Sequence, residues 1–271
     1  MTIRSEENFP SVEPIDTGPV AISTMVESRT CKTHGDYAAK LFRFRDDGLW
    51  VGGHCPQCLD EQDKADRLRA ACAEDRARLQ KIERLSEWAK IPRRFQGKTL
   101  DSYQTSDAGE DKAKKIAIWY CETWSERLAS GTSLIFCGEP GTGKTHLACA
   151  IGQRLLATGT SVLFTTAADC MRQIKSTYNR DSVMTETAAI SMYTSPDLLI
   201  LDEVHVQTGS DHEIRLMFEL VNRRYERILP TIIISNLEAV ALKQFLGDRI
   251  VDRLREGRGQ LIQFTWSSRR A

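Results

Sequence analysis

One stretch constrains this chain more than any other: residues 134–146, Leu-Ile-Phe-Cys-Gly-Glu-Pro-Gly-Thr-Gly-Lys-Thr-His. Four apolar residues of strand character lead into Gly138, Glu139, Pro140, Gly141, Thr142, Gly143, Lys144 and Thr145, with His146 directly after. A glycine, four residues and then Gly-Lys-Thr is the spacing of a phosphate-binding loop. Gly138, Gly141 and Gly143 lack a Cβ and accept positive φ, so successive backbone N–H groups can turn inward around an anion. A helix expected over Thr145 to Ala157 aims the positive end of its dipole at the same point. In such a loop Lys144 reaches the β- and γ-phosphates and the Thr145 hydroxyl ligates Mg²⁺. ATP or ADP with Mg²⁺ is the expected ligand.

Two later stretches extend this reading. Asp197-Leu-Leu-Ile-Leu-Asp202-Glu203 is an apolar strand ending in two carboxylates. In an open α/β sheet that places them at the strand tip where ligands sit. Asp202 is expected in the Mg²⁺ shell, and Glu203 orients and deprotonates the attacking water. Thr231-Ile-Ile-Ile-Ser-Asn236 is another buried strand with a polar tip, and its amide makes Asn236 a candidate sensor of the γ-phosphate. From Ser133 onward apolar strands alternate with helices, including one over Ser161 to Thr165. That alternation predicts an α/β fold, a parallel sheet covered by helices on both faces. Before it, Pro92 marks a break and Asp111 to Ser130 reads as one amphipathic helix.

Lys+Arg and Asp+Glu both number 37, so no global basicity points to nucleic acid and any such contact needs a local patch. No apolar run is long enough to span a membrane, and the acidic, proline-containing start is unlike a signal peptide. A cytoplasmic chain is expected. There, eight cysteines read as thiols or metal ligands rather than disulfides. Cys31-Lys-Thr-His34 and Cys55-Pro-Gln-Cys58 are two pairs, each with a two-residue gap that lets both side chains turn onto one ion. Strands over Tyr37 to Phe44 and Leu49 to Val51, turning at Asp46-Asp47-Gly48, would bring the pairs together. The expectation is a structural Zn²⁺ held by Cys31, His34, Cys55 and Cys58, with all four positions filled by protein. His54 is a rival ligand whose place beside Cys55 points it elsewhere.

Residues 1–29 lack periodicity and read as a flexible arm. Asp60 to Lys90 carries eight acidic and eight basic residues around a sparse stripe of Leu68, Cys72, Leu79, Ile82 and Leu85. It reads as a charged helix, either a solvated connector or a face for another helix, with Cys72 packing in the stripe. The C-terminal end is locally basic. Arg249 and Arg253 share a helix face at i, i+4. They can neutralise charge at a neighbouring subunit's γ-phosphate, or be solvated and pair with Asp248 and Asp252.

Together these motifs resemble the AAA+ ATPases of the DnaC/IstB group, most closely the DnaC-type replicative helicase loaders. The residues that carry the resemblance are Gly138 to Ala148, then Leu201-Asp202-Glu203-Val204 with Val206-Gln207-Thr208, Gly247 to Arg255, and the ending Phe264-Thr265-Trp266-Ser267-Ser268. The last and the Val-Gln-Thr favour DnaC over the transposase helper IstB. The resemblance covers about Phe95 to Arg270 and implies an AAA+ core without the helical lid of most relatives. It assigns Arg253 as arginine finger, with Arg249 as second candidate, and Arg270 as the sensor-2 arginine. It places single-stranded DNA contacts on a helix over Ala168 to Tyr178, through Arg172, Lys175 and Tyr178. The N-terminal zinc knuckle is similar to that of DnaI and of phage-encoded DnaC-like proteins, where such a domain meets the helicase. The organisation expected is a tail at 1–29, a zinc module at 30–60, a linker helix at 61–92 and an ATPase domain at 93–271. The function implied is ATP-dependent loading of a DnaB-type hexameric helicase onto single-stranded DNA, with self-association into a ring or spiral. The rivals are an IstB-like transposition helper and a phage protein that sequesters the host helicase.

Overall fold

The computed structural model describes residues 22–44, 48–179, 181–204 and 211–268. The chain divides into two compact units with the boundary between Asp75 and Arg76.

In the first unit, strands β1 (Ile22–Cys31), β2 (Gly35–Phe44) and β3 (Val51–Gly52) form an antiparallel sheet in that order. The register runs from Ile22 opposite Phe44 to Cys31 opposite Gly35, so the hairpin turn is Lys32-Thr33-His34 itself. Gly35 has φ +76°, which closes this tight turn. β1 corrects the expected arm, because residues 22–29 are strand. Their alternating Thr, Val and Ser suit a pleated surface, and only pairing with β2 reveals it. Of the expected Asp46-Asp47-Gly48 turn, Asp46 and Asp47 lie outside the described residues. Helix α1 (Pro56–Trp88) begins within the expected zinc module, and the unit boundary falls inside it. No residue of α1 is buried; Ile82 and Leu85 are half-buried, whereas Cys72, Leu68 and Leu79 are exposed. Cys72 therefore does not pack, because its part of the helix has no apolar partner.

The second unit is built on five parallel strands, β4 (Leu134–Gly138), β5 (Val162–Thr166), β6 (Leu198–Asp202), β7 (Thr231–Ile234) and β8 (Gln260–Phe264). They lie in the order β5-β6-β7-β4-β8. Side chains alternate across this sheet. Leu134, Phe136, Ile200 and Ile232 face one core with α2 (Ala108–Glu122) and α4 (Lys144–Leu156). Ile135, Cys137, Leu199 and Ile233 face the other, with α5 (Ala167–Ser176), α6 (Glu186–Thr194), α7 (Asp211–Glu226), α8 (Ala239–Leu246) and α9 (Asp248–Arg255). Burial on both faces explains why β4, β6 and β7 read as unbroken apolar runs.

Three elements differ from expectation. The single helix over Asp111 to Ser130 is two, α2 and α3 (Trp124–Ser130). Thr123 separates them with ψ +23°, its hydroxyl donating back to the Trp119 carbonyl at 2.8 Å. β8 was not anticipated, because Gln260 and Gln263 break its apolar pattern at the edge of the sheet. Helix α5 ends at Ser176, so Tyr178 lies beyond it rather than on its face.

Candidate functional site

Strand β4 ends where the loop must turn, and Gly138 makes the turn possible. Its φ is +117°, and a Cβ there would sit 2.3 Å from the Phe264 carbonyl oxygen. Any side chain would thus push β8 away from the loop. The Gly138 N–H donates to Leu237 O and the Glu139 N–H to Phe264 O, so both neighbouring strands' exits hold the loop's entrance. Thr142 Oγ1 donates to Glu139 O at 2.8 Å and closes the loop on itself. Buried Lys144 donates through Nζ to the carbonyls of Gly138 and Glu139 at 2.7 and 2.6 Å.

The loop opens onto a cavity of about 390 Å³. Pro140, Gly141, Gly143, Lys144, Thr145 and His146 line it together with Asp202, Glu203 and Asn236. Sequence positions a hundred residues apart thus converge at the C-terminal ends of β4, β6 and β7, where ligands bind in open parallel sheets. Thr145 Oγ1 donates to Asp202 Oδ2 at 2.9 Å. Two cis ligands on an octahedral Mg²⁺ at its usual 2.0–2.1 Å are about 2.9 Å apart, so this oxygen pair fits that ion. Burial pushes the Asp202 carboxyl above the ordinary range, opposed by hydrogen bonds from Thr145 and the Glu203 N–H. Glu203 stands in left-handed backbone at φ +57°, a strain of about 1–3 kcal/mol that turns its exposed carboxylate onto the cavity rim.

Three residues in the lining carry no motif: Arg94, Phe95 and Lys98. They lie on and after a short 3₁₀ turn, Arg93–Phe95, and Gln153 of α4 holds them. Its Nε2 donates to Phe95 O and Lys98 O at 2.8 and 2.7 Å, while its Oε1 accepts the Gly97 N–H at 2.8 Å. The Pro92 break was legible; the staple from a glutamine over fifty positions later was not.

Neither Arg249 nor Arg253 lines this cavity. Arg249 is exposed on α9. Arg253 is half-buried, its guanidinium 5.1 Å from the Phe218 ring centre and 5.3 Å from that of Tyr225. The two therefore do not share one exposed face. Pairing with Asp248 goes instead to Lys243, at 3.0 Å. Arg270, with Val206, Gln207 and Thr208, lies outside the described residues. On α5, exposed Arg172 pairs with Asp169 at 2.7 Å and Lys175 with Glu213 at 2.5 Å. Tyr178 donates to Glu186 at 3.0 Å. Each member of that strip thus has an acidic partner.

In the first unit, the hairpin turn presents Cys31 and His34, and the start of α1 presents Cys55 and Cys58. The four ligand atoms lie within 4.8 Å of one another. His34 Nδ1 is 3.7, 3.6 and 3.3 Å from the sulfurs of Cys31, Cys55 and Cys58, and the Cys31 and Cys58 sulfurs are 3.5 Å apart. A tetrahedral Zn²⁺ with usual bond lengths requires about 3.6 Å for nitrogen to sulfur and about 3.8 Å for sulfur to sulfur. The cluster fits that ion. Backbone N–H groups of Thr33 and His34 pull the Cys31 thiol down to about 6, while Cys58, hydrogen-bonded to Cys31, is pushed up to about 12, so the two sulfurs share one proton more readily than they lose both. Glu61, one turn past Cys58 and unnoticed in the sequence, sits 3.2 Å from His34 Nε2 and orients the ring. His54 is exposed and outside the cluster.

The comparisons with known proteins agree with this geometry. The sequence model of the family described as IstB-like ATP binding protein matches residues 62–255. The replicative helicase loader DnaC of Buchnera aphidicola subsp. Acyrthosiphon pisum (strain APS) is 36% identical over 190 residues, 70% of this chain and 76% of that protein. That of Escherichia coli (strain K12) is 34% identical over 215 residues, 79% of this chain and 86% of the other. A crystal structure of the DnaC helicase loader aligns with TM-score 0.57 at 22% identity, over 64% of this chain and 100% of that one. One of DnaI aligns with TM-score 0.55 at 23% identity, over 66% and 95%. At those identities the likeness concerns the fold alone, an AAA+ sheet of the DnaC kind. With the family match spanning most of its length and the phosphate loop assembled within it, this chain belongs to the IstB-like ATP-binding protein family.

Proposed function

We propose that the protein is an ATP-driven loader of a DnaB-type ring helicase onto single-stranded DNA. The observation that carries this reading is its 34–36% identity, across most of their length, to proteins named replicative helicase loader DnaC. The cavity supports hydrolysis as the energy source. Lys144 and the loop amides bind the phosphates, Thr145 and Asp202 hold Mg²⁺, Glu203 activates water and Asn236 contacts the γ-phosphate. Arg253, which does not line its own protomer's cavity, acts on a neighbour's, with Arg249 as the alternative, and Arg270 closes the site. Self-association on the helicase then completes each site. Arg172, Lys175 and Tyr178 exchange their acidic partners for DNA backbone and base contacts, and the zinc module meets the helicase. The family's IstB description favours a second reading, a transposition helper acting on duplex DNA.

Co-purification with a DnaB-type helicase, with and without ATP, tests the proposal. A stable complex that deposits the ring on single-stranded DNA when ATP is present is the expected result. Absence of any complex, with a preference for duplex DNA, would favour the transposition helper. A complex that never deposits the ring would point to sequestration.

A further inference from the structure

The carbonyl of Thr142, inside the phosphate loop, accepts two side-chain hydrogen bonds from opposite ends of the second unit's sequence. The Trp266 indole N–H donates to it at 2.8 Å, and the Tyr103 hydroxyl at 3.4 Å. Both donors are well covered: Tyr103 is 0% and Trp266 8% exposed. Trp266 is fixed by packing on Phe264, ring centres 4.7 Å apart, and Phe264 O in turn holds the loop's other end through the Glu139 N–H. Tyr103 packs edge-on to His146, ring centres 5.3 Å apart.

A trans peptide is planar, and its C=O and N–H point in opposite directions. Holding the Thr142 oxygen away from the cavity therefore directs the Gly143 N–H toward it, and Gly143 is part of the cavity lining. The alternative orientation is close at hand. Gly143 has no Cβ and stands at φ +95°, so the backbone itself does little to prevent a flip of the 142–143 peptide. A flipped peptide would present its oxygen to the phosphates and remove one donor from the anion cradle.

We infer that Trp266 and Tyr103 are positioning residues for ATP, clamping the Thr142 carbonyl so that the Gly143 amide faces the nucleotide phosphates. Neither touches the ligand; both act through the peptide they hold. The inference rests on the reading of this cavity as the nucleotide site. It also gives the residues after β8 a role in the phosphate loop that no local motif announces.

The test measures affinity for a non-hydrolysable ATP analogue, together with KM and kcat for ATP, in Trp266→Phe, Tyr103→Phe and the double variant. One hydrogen bond of ordinary net strength corresponds to an effect of about three- to tenfold. Trp266→Phe is expected to weaken binding and raise KM by that factor, with kcat at saturating ATP within about twofold. Tyr103→Phe should lose less, in keeping with its longer bond. The double variant should exceed the product of the two, because each single variant leaves the other donor in place. Should Trp266→Phe not fold, the benzothiophene analogue of tryptophan at position 266 keeps the ring and removes only the N–H. Unchanged affinity in these variants, with at most a lower melting temperature without nucleotide, would overturn the clamp and leave only a packing role. Failure of the unmodified protein to bind the analogue would instead overturn the reading of the cavity.

Discussion

At the scale of single residues, Asp202 keeps a carboxyl where burial disfavours its charge. Its carboxyl is buried in the sheet's end, and burial raises its pKa despite the hydrogen bonds from Thr145 and Glu203. A carboxyl whose folded pKa lies above its unfolded value favours folding fully when protonated and penalises it once the pH rises through the folded value. The charged form of Asp202 is therefore a cost to the free protein, which a bound Mg²⁺ would relieve. Asp202→Asn retains an oxygen for the Glu203 N–H and an amide for Thr145. It should raise the melting temperature of the nucleotide-free protein at pH 7, and the gain should shrink as the pH falls toward the ordinary carboxylate range. If Asp202 holds Mg²⁺ as proposed, Mg²⁺-dependent hydrolysis should drop about a hundredfold or more with the loss of its charge. A melting temperature lower than that of the parent at pH 7 would refute the burial argument.

At the scale of elements, two devices place side chains that no single element could. In the second unit, buried Arg224 on α7 donates to Thr231 Oγ1 and to the carbonyls of Tyr193, Pro196, Asp197 and Pro230. It ties the entries of β6 and β7 to the end of α6, and so sets the strands whose far ends carry Asp202 and Asn236. In the first unit, the β1–β2 turn and the α1 N-terminus share one cluster, and Glu61 fixes its histidine. Among the described residues of this unit, Ala39, Leu41 and Cys55 are the buried apolar ones, so metal binding should supply much of its folding energy. Glu61→Ala is expected to weaken zinc affinity about 10–100-fold in competition with a chromophoric chelator. Full chelation should melt the hairpin while ATP-analogue binding by the second unit persists. An as-purified protein without zinc, or equal affinity in the variant, would contradict this assignment.

On the function proposed above, the molecule as a whole would present half an active site. Its cavity gathers Lys144, Thr145, Asp202 and Glu203, whereas the basic α9 places Arg253 against Phe218 and Tyr225, outside that cavity. The face-to-back association that would join them is heterologous, and each protomer then lends one arginine to the next. Lys144→Ala should abolish nucleotide binding, whereas Arg253→Ala should bind ATP normally and hydrolyse it poorly. A one-to-one mixture of these two inactive variants should regain about a quarter of the parent turnover, the fraction of randomly formed interfaces with both halves intact. No recovery on mixing, with each variant folded, would remove Arg253 from the trans role and leave Arg249 to be tested in the same way.

What could be read from the chain was whatever is contiguous or periodic. The glycine spacing from 138 to 145, the acidic strand tip at 202–203 and the paired Cys31/His34 and Cys55/Cys58 are short-range patterns, and backbone geometry imposes them wherever they occur. The alternation of buried strands and helices followed for the same reason, since a strand covered on both faces admits no polar residue in its middle. What could not be read depends on partners distant in sequence. The β8 strand has too polar an edge to look like one, α1's stripe finds no apolar surface around Cys72, and Glu61 matters only once a hairpin brings His34 to it. Arg94, Phe95 and Lys98 reach the cavity because Gln153 holds their backbone. Trp266 reaches the loop carbonyl across 124 positions because β8 lies beside β4. Local chemistry made the loop; only the packing of the sheet decided which carbonyl it must turn away from the phosphates.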